Sequence, residues 1–273
     1  MELLSPTVDY IFKKIFESNK DLLVDLLNSI LKYDICIKDL SYMSLKKMSV
    51  KEKDSILCVE AIKEDEQKIN IEIQMKDTDD ILKRSLYYWA KNYTGDSLEN
   101  IVYSELKSVV YINILNYNLF KDDSIRHKFV LYDQKLKQQY NEDLEIYFIE
   151  LDKVDIKKRT TKDKELLEWL SFIKAPNSTK VKRMSTINSK IDEAMNILKE
   201  LSTDKEVREH YFNRRIALEE EANAIHKAKI SGIQQGKQEV QEQIAISLLD
   251  ILDDAIISEK TGLSIDRVKK LRN

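Results

Sequence analysis

The sequence predicts an α/β domain followed by an all-helical region, and three observations carry that prediction. Runs with strand-like alternation sit between amphipathic helical stretches in the earlier part of the chain. All but two of the 13 Tyr, 7 Phe and 2 Trp precede position 181, the exceptions being Tyr211 and Phe212. The 273 residues include only 4 Gly and 2 Pro, a shortage that argues against an all-β fold of many tight turns. The same shortage excludes glycine-rich phosphate loops, dinucleotide fingerprints and nucleophile elbows, each of which needs several glycines close together.

Each element follows in order. Ser5-Pro6 suits a helix start, and Asp9 to Leu31 carries Phe12, Ile15, Phe16, Leu22, Leu23, Leu26, Leu27 and Ile30 near helical spacing. Ile35 to Ser44 reads as extended. Ser55 to Lys63 and Lys68 to Met75 read as two strands joined by the acidic turn Glu64-Asp65-Glu66-Gln67. Asp79 to Tyr93 returns to helical period and ends near Gly95. Leu106 to Tyr117 is β-branched and aromatic, hence a buried strand. Ile125 to Asp133 and Leu144 to Val154 add two more strands, and Lys162 to Lys174 adds a helix. Pro176 and Asn177 interrupt the helical pattern, dividing the chain into residues 1–175 and 176–273. Beyond that boundary Thr186 to about Lys229 and Gly232 to Asp250 read as helix. Asp253 to Leu271 reads as two short helices around Thr261-Gly262-Leu263-Ser264, with Gly262 ending the first and Ser264 capping the second.

Charge narrows the function classes. The 45 basic and 48 acidic residues leave a net charge of −3, so no global positive field draws the chain to nucleic acid, and any such contact needs a local patch. Cys36 and Cys58 match no zinc or disulfide spacing, and His127, His210 and His226 stand too far apart for metal-ligand spacing. No apolar run approaches the roughly 20 residues of a membrane span, and Met1 to Pro6 lacks a signal-peptide pattern. A cytoplasmic protein is the expectation.

The segment that carries chemistry is the strand pair. In Lys68 to Met75, Ile69, Ile71, Ile73 and Met75 share one face, while Asn70, Glu72 and Gln74 share the other. A strand inside an α/β domain is expected to be apolar on both faces, so three polar residues on one face call for an explanation. A hairpin pairing brings Cys58 or Glu60 near Glu72. A solvent-facing antiparallel ribbon explains the same alternation without any site.

Four runs occur in order: Leu4 to Phe16 with Asp9 and Phe12, Leu26 to Leu31 with Asn28, Ile69-Asn70-Ile71-Glu72-Ile73-Gln74, and Arg84 to Ala90 with Tyr87, Tyr88 and Trp89. Taken together they resemble the Rpn family, described as recombination-promoting nucleases or transposases within the PD-(D/E)XK nuclease superfamily. The resemblance covers roughly residues 3–175 and rests on the ordered set rather than on any single run. Gly232 to Lys237 and Ile257 to Ser264 also resemble the helical C-terminal region of many members. The resemblance implies a PD-(D/E)XK restriction-endonuclease-like core and Mg2+-dependent hydrolysis of DNA phosphodiesters. Two or three carboxylates then meet on one sheet edge to hold a hard cation through oxygen. By the same resemblance Glu72 is a metal carboxylate, Gln74 stands at the Lys position of the D/E-x-K element, Asp9 adds a ligand or supporting carboxylate, and Arg84 contacts a DNA phosphate.

One position departs from the family. Where members carry Asp in a Leu-Asp-Val-like triplet, this chain has Leu57-Cys58-Val59, and a thiol is a poor ligand for Mg2+. Asp54 and Glu60 are the substitutes at hand, Glu60 lying on the same strand face about 7 Å further along. Three readings therefore stand: a nuclease with a degenerate site, a catalytically inactive DNA-binding or self-assembling protein on the same fold, and an α/β scaffold whose polar strand face meets water. Apolar stripes in the helical region suggest a second copy as a partner. The terminal helix pair suggests either a small cap or a helix-turn-helix-like DNA reader.

Overall fold

A computed structural model describes residues 2–16, 19–32, 42–47, 57–63, 65–95, 102–155 and 163–272. In chain order these form α1 (Asp9–Phe16), α2 (Lys20–Leu31), β1 (Tyr42–Lys47), β2 (Leu57–Ile62), β3 (Lys68–Gln74), α3 (Ile81–Thr94), β4 (Val109–Leu115), β5 (Arg126–Phe129), β6 (Tyr132–Asp133), β7 (Gln138–Gln139) and β8 (Leu144–Glu150). There follow α4 (Lys164–Lys174), α5 (Thr179–Ser185), α6 (Ser189–Thr203), α7 (Lys205–Leu248), α8 (Asp254–Thr261) and α9 (Ile265–Arg272). The chain divides into two compact units, Met1–Leu218 and Glu219–Asn273.

The first unit is built on a six-stranded sheet in the order β1-β2-β3-β4-β8-β5. β3, β4 and β8 run parallel, while β1, β2 and β5 join antiparallel to their neighbours. β4 and β8 are buried along their whole length, as expected for parallel strands covered on both faces. The β3 residues Ile69, Ile71 and Ile73, with Ile112 and Ile114 of β4, pack against Ile11, Phe12, Leu23, Leu26, Trp169 and Phe172 from the helices on one side. On the opposite side Ile81 and Tyr88 of α3 pack against Tyr111, Leu115, Ile146 and Phe148. Glu72 therefore belongs to the face that α3 covers in part.

Local chemistry explains the helix ends. The expected single helix from Asp9 to Leu31 is two helices, because the Asn19 side chain donates to the Ile15 carbonyl at 2.9 Å and closes α1. α3 ends at Gly95, whose φ of 74° is open to glycine and whose N–H donates to Lys91 O at 3.1 Å.

Composition changes near residues 175–179, yet the packed unit continues to Leu218. Val181 of α5, Ile191, Ala194, Met195 and Leu198 of α6, and Tyr211 of α7 all belong to the main core. In the second unit Ala245, Ile257, Leu263 and Val268 form a small core of their own. Gly262 caps α8 at φ 74°, and Ser264 Oγ accepts from Arg267 N at 3.3 Å. Among the described residues no helix is long and apolar enough to cross a membrane. The extended segment expected at Ile35 to Ser44 lies mostly outside the described residues.

Candidate metal centre

The site grows out of the pairing of β2 with β3. Their antiparallel register sets Cys58 directly opposite Glu72 and Glu60 opposite Asn70. Residues facing each other across such a pair point to the same side of the sheet, with Cβ atoms about 4.5–5.5 Å apart. On its other edge β3 runs parallel to β4, setting Asn70 beside Tyr111, Glu72 beside Asn113 and Gln74 beside Leu115. Both faces of this strand are buried, so the polar side chains do not simply meet water. Asn70, Glu72 and Asn113 are at most 1% exposed.

Glu72 has both carboxylate oxygens engaged. Arg84 Nη2 donates to Oε1 at 3.0 Å, and the Tyr111 hydroxyl donates to Oε2 at 2.8 Å. The same Arg84 nitrogen donates to Gln74 Oε1 at 2.6 Å. Gln74 presents its oxygen there because its Nε2 donates to Lys76 O at 3.0 Å. Two oxygens from alternate residues of one strand thus converge on one cationic nitrogen. α3 is fixed over this point by Ser85, whose Oγ lies 2.9 Å from Asn113 Oδ1, while Asn113 Nδ2 donates to Tyr147 O at 3.2 Å.

Electrostatics mark the same spot. Burial pushes the Glu72 carboxyl above its ordinary range; Arg84 and the Tyr111 hydrogen bond oppose that rise, and the nearby charges of Asp9 and Asp80 add to it. Burial pulls Arg84 down, but Glu72 and then Asp80 outweigh it and hold the guanidinium above its ordinary value. Tyr117 is raised by burial first and by Asp77 next, and its buried hydroxyl has no hydrogen-bond partner among the described residues. The Asn70 amide, fully buried, likewise has no partner for Nδ2 or Oδ1 among them. Perturbed and unsatisfied polar groups concentrate at functional sites.

The expected site residues fall as follows. Glu72 and Gln74 converge. Cys58 stands across from Glu72 in register, and Glu60 is one pleat further on and buried. Asp54 lies outside the described residues. Asp9 is held by Arg214 of α7, whose Nε lies 3.0 Å from both carboxylate oxygens and whose Nη2 lies 2.5 Å from Oδ2. Arg84 turns its guanidinium onto Glu72 and Gln74. Tyr111, Asn113 and Ser85 complete the site and were not singled out in the sequence; the signal for the first two was a hydroxyl and an amide two residues apart in an otherwise apolar strand. Among the described residues no three His, Cys, Asp or Glu side chains cluster closely enough to hold a metal ion.

A sequence profile described as "PD-(D/E)XK nuclease family transposase" matches residues 6–228. The chain belongs to that family. Its mixed sheet with flanking helices is consistent with a PD-(D/E)XK core, and the matched span runs through α5, α6 and the first part of α7. No curated protein matches the chain, and no solved structure matches it.

PD-(D/E)XK nucleases use divalent metals in general, and the donors here suit a hard cation. Glu72 Oε1 and Gln74 Oε1 are both oxygens, and they already share one positively charged nitrogen at 3.0 and 2.6 Å. What the described residues lack is a second carboxylate directly opposite Glu72, where β2 carries Cys58.

Proposed function

We propose that this family member hydrolyses DNA phosphodiesters with Mg2+, at a site weakened by Cys58. The observation that supports this most strongly is the register of Cys58 with Glu72, together with the convergence of Glu72 and Gln74 on one cation position. When bound, the metal supplies a coordinated water of lowered pKa and shields the phosphate charge. Glu72 would hold it through Oε1, while Tyr111 keeps Oε2 and fixes the carboxylate plane. Gln74 stands at the Lys position. Its neutral amide orients the attacking water by hydrogen bonding but cannot remove its proton, so the proton leaves to solvent. Arg84 turns to a phosphate oxygen of the substrate. Glu60, buried one pleat along β2, and Asp9, whose charge reaches Glu72, would supply part of the missing negative charge. Such a site turns over slowly, because loss of one carboxylate weakens metal binding and water activation together.

The helical region supports a further element of the reading, a second copy of the chain as partner. On α7, Ile230, Ile233, Val240 and Ile244 are 43–63% exposed and fall in a seam of alternating three- and four-residue spacing that also passes through Lys237. A seam of this kind pairs with its equal, and one Lys within it fixes register at some cost in stability.

Incubating the purified chain with supercoiled plasmid and Mg2+ tests the catalytic reading. Slow nicking that disappears in Glu72→Ala supports it. Equal cleavage by wild type and Glu72→Ala, or no cleavage by wild type at any protein concentration, sinks it.

A further inference from the structure

We propose that Arg84 is a displaceable counter-ion, filling the cation position between Glu72 and Gln74 until a DNA phosphate draws it away, so that metal entry is coupled to DNA docking. The inference rests on the reading of Glu72 and Gln74 as the metal-facing pair.

Occupancy of that position is exclusive. Arg84 Nη2 lies 3.0 Å from Glu72 Oε1 and 2.6 Å from Gln74 Oε1, whereas a hard divalent cation sits at about 2.0–2.6 Å from its oxygens. Both cannot share one point. The other oxygen of Glu72 is engaged by the fully buried Tyr111 hydroxyl. A cation shared by Glu72 Oε1 and Gln74 Oε1 therefore has to displace Arg84.

Arg84 is also the partner built to leave. Its side chain is 16% exposed against 1% for Glu72, so a route to solvent is open on one side. It holds both acceptors through a single nitrogen, and its buried Nε has no hydrogen-bond partner among the described residues. The planar fork of a guanidinium is matched to two parallel bonds to a phosphate, and a phosphate would satisfy that Nε as the present contact does not. Asp80, one helical turn back and 4.0 Å from Nη1, offers a second anionic contact. Removal of the guanidinium leaves a buried carboxylate with only a tyrosine for company, which is unfavourable until another cation replaces the charge. Departure of Arg84 and arrival of the metal are thus two halves of one exchange.

The test is Mn2+ binding by the full-length chain, measured by calorimetry and by loss of the free-Mn2+ electron paramagnetic resonance signal. It compares wild type, Arg84→Gln, Arg84→Lys, Glu72→Gln and the Arg84→Gln/Glu72→Gln double variant, each with and without a short DNA duplex. Wild type should bind Mn2+ at least about tenfold more tightly when the duplex is present. Arg84→Gln should bind at that tighter level without DNA and gain little from adding it, and Glu72→Gln should abolish the gain. Arg84→Lys, which keeps the charge but not the reach to two acceptors, should fall between and guards against a folding defect in Arg84→Gln. If Arg84→Gln binds no more tightly than wild type while Glu72→Gln weakens wild-type binding, the counter-ion role is wrong and the metal assignment survives. If no form shows Glu72-dependent Mn2+ binding with or without DNA, the metal assignment fails and takes this inference with it.

Discussion

Replacing Arg84 by Met should destabilise the protein in a pH-dependent way, and the size follows from the geometry. Glu72 and Arg84 meet at 3.0 Å, with 1% and 16% of their side chains exposed. At an effective dielectric of about 20 their gross attraction is about 5–6 kcal/mol. Losing Arg84 also removes the penalty for desolvating it, which offsets roughly half of that, leaving a net loss of about 2–3 kcal/mol. The sign with pH is fixed by Glu72. Burial already raises its pKa in the folded state above the ordinary 4.5, and without Arg84 it rises further. A group raised on folding contributes stability below its unfolded pKa and loses that contribution as pH climbs through the folded value. The deficit of Arg84→Met should therefore be smallest in acid, below the ordinary carboxylate value, and grow as pH rises through the raised folded value. Urea unfolding of wild type, Arg84→Met, Glu72→Gln and the double variant across that range measures it. The double variant should lie closer to wild type than the worse single variant, since a neutral pair leaves no buried charge unmatched. A deficit that does not change with pH, or single-variant losses that simply add, would refute the reasoning.

Three other outcomes are expected. Asp9→Asn should cost about 2–3 kcal/mol, because Asp9 is buried and grips Arg214 through two nitrogens; chemical denaturation reads the loss, and a change below about 0.5 kcal/mol speaks against the clamp. Asn70→Leu should stabilise the fold by about 1 kcal/mol by removing a fully buried amide that lacks a partner among the described residues, at the expense of cleavage; a fall in unfolding midpoint runs against this. Ile233→Glu should convert a dimer to a monomer in sedimentation experiments while leaving the α/β unit folded, since it places a charge in the seam of α7; an unchanged mass for variant and wild type rejects that seam.

Much of the framework was legible in residue pattern, and particular residues show where legibility stopped. β2, β3, β4 and β8 are β-branched and apolar in the sequence, and their expected spans contain the observed strands within a few residues at each end. The terminal helix pair was equally plain, because Gly262 and Ser264 carry their own capping chemistry. The break between α1 and α2 was not, because one apolar period runs through both and the stop comes from a single Asn19 side chain. α5 was missed beside Pro176, although Ser178 caps it by accepting from Val181 N at 3.3 Å. At the site, the strand faces could be read from period two, and a hairpin was enough to bring Cys58 toward Glu72. What the pattern could not supply were the long-range partners. Tyr111 reaches Glu72 across 39 positions and Arg214 reaches Asp9 across 205; no local rule links such residues. The same is true of Arg84, whose contacts with Glu72 and Gln74 join a helix to a strand ten or more positions earlier.

Position 58 decides whether a second carboxylate faces Glu72. The direct measurement is Mg2+-dependent cleavage of duplex DNA by Cys58→Asp, beside wild type and the Cys58→Asp/Glu72→Ala double variant. An aspartate at that position would face Glu72 across the β2–β3 pair and restore the second carboxylate. Cleavage should rise by about tenfold or more over wild type, and Glu72→Ala should abolish the gain. Cleavage by Cys58→Asp equal to wild type, or a gain that survives Glu72→Ala, would contradict the proposal that these two strand positions form the metal centre.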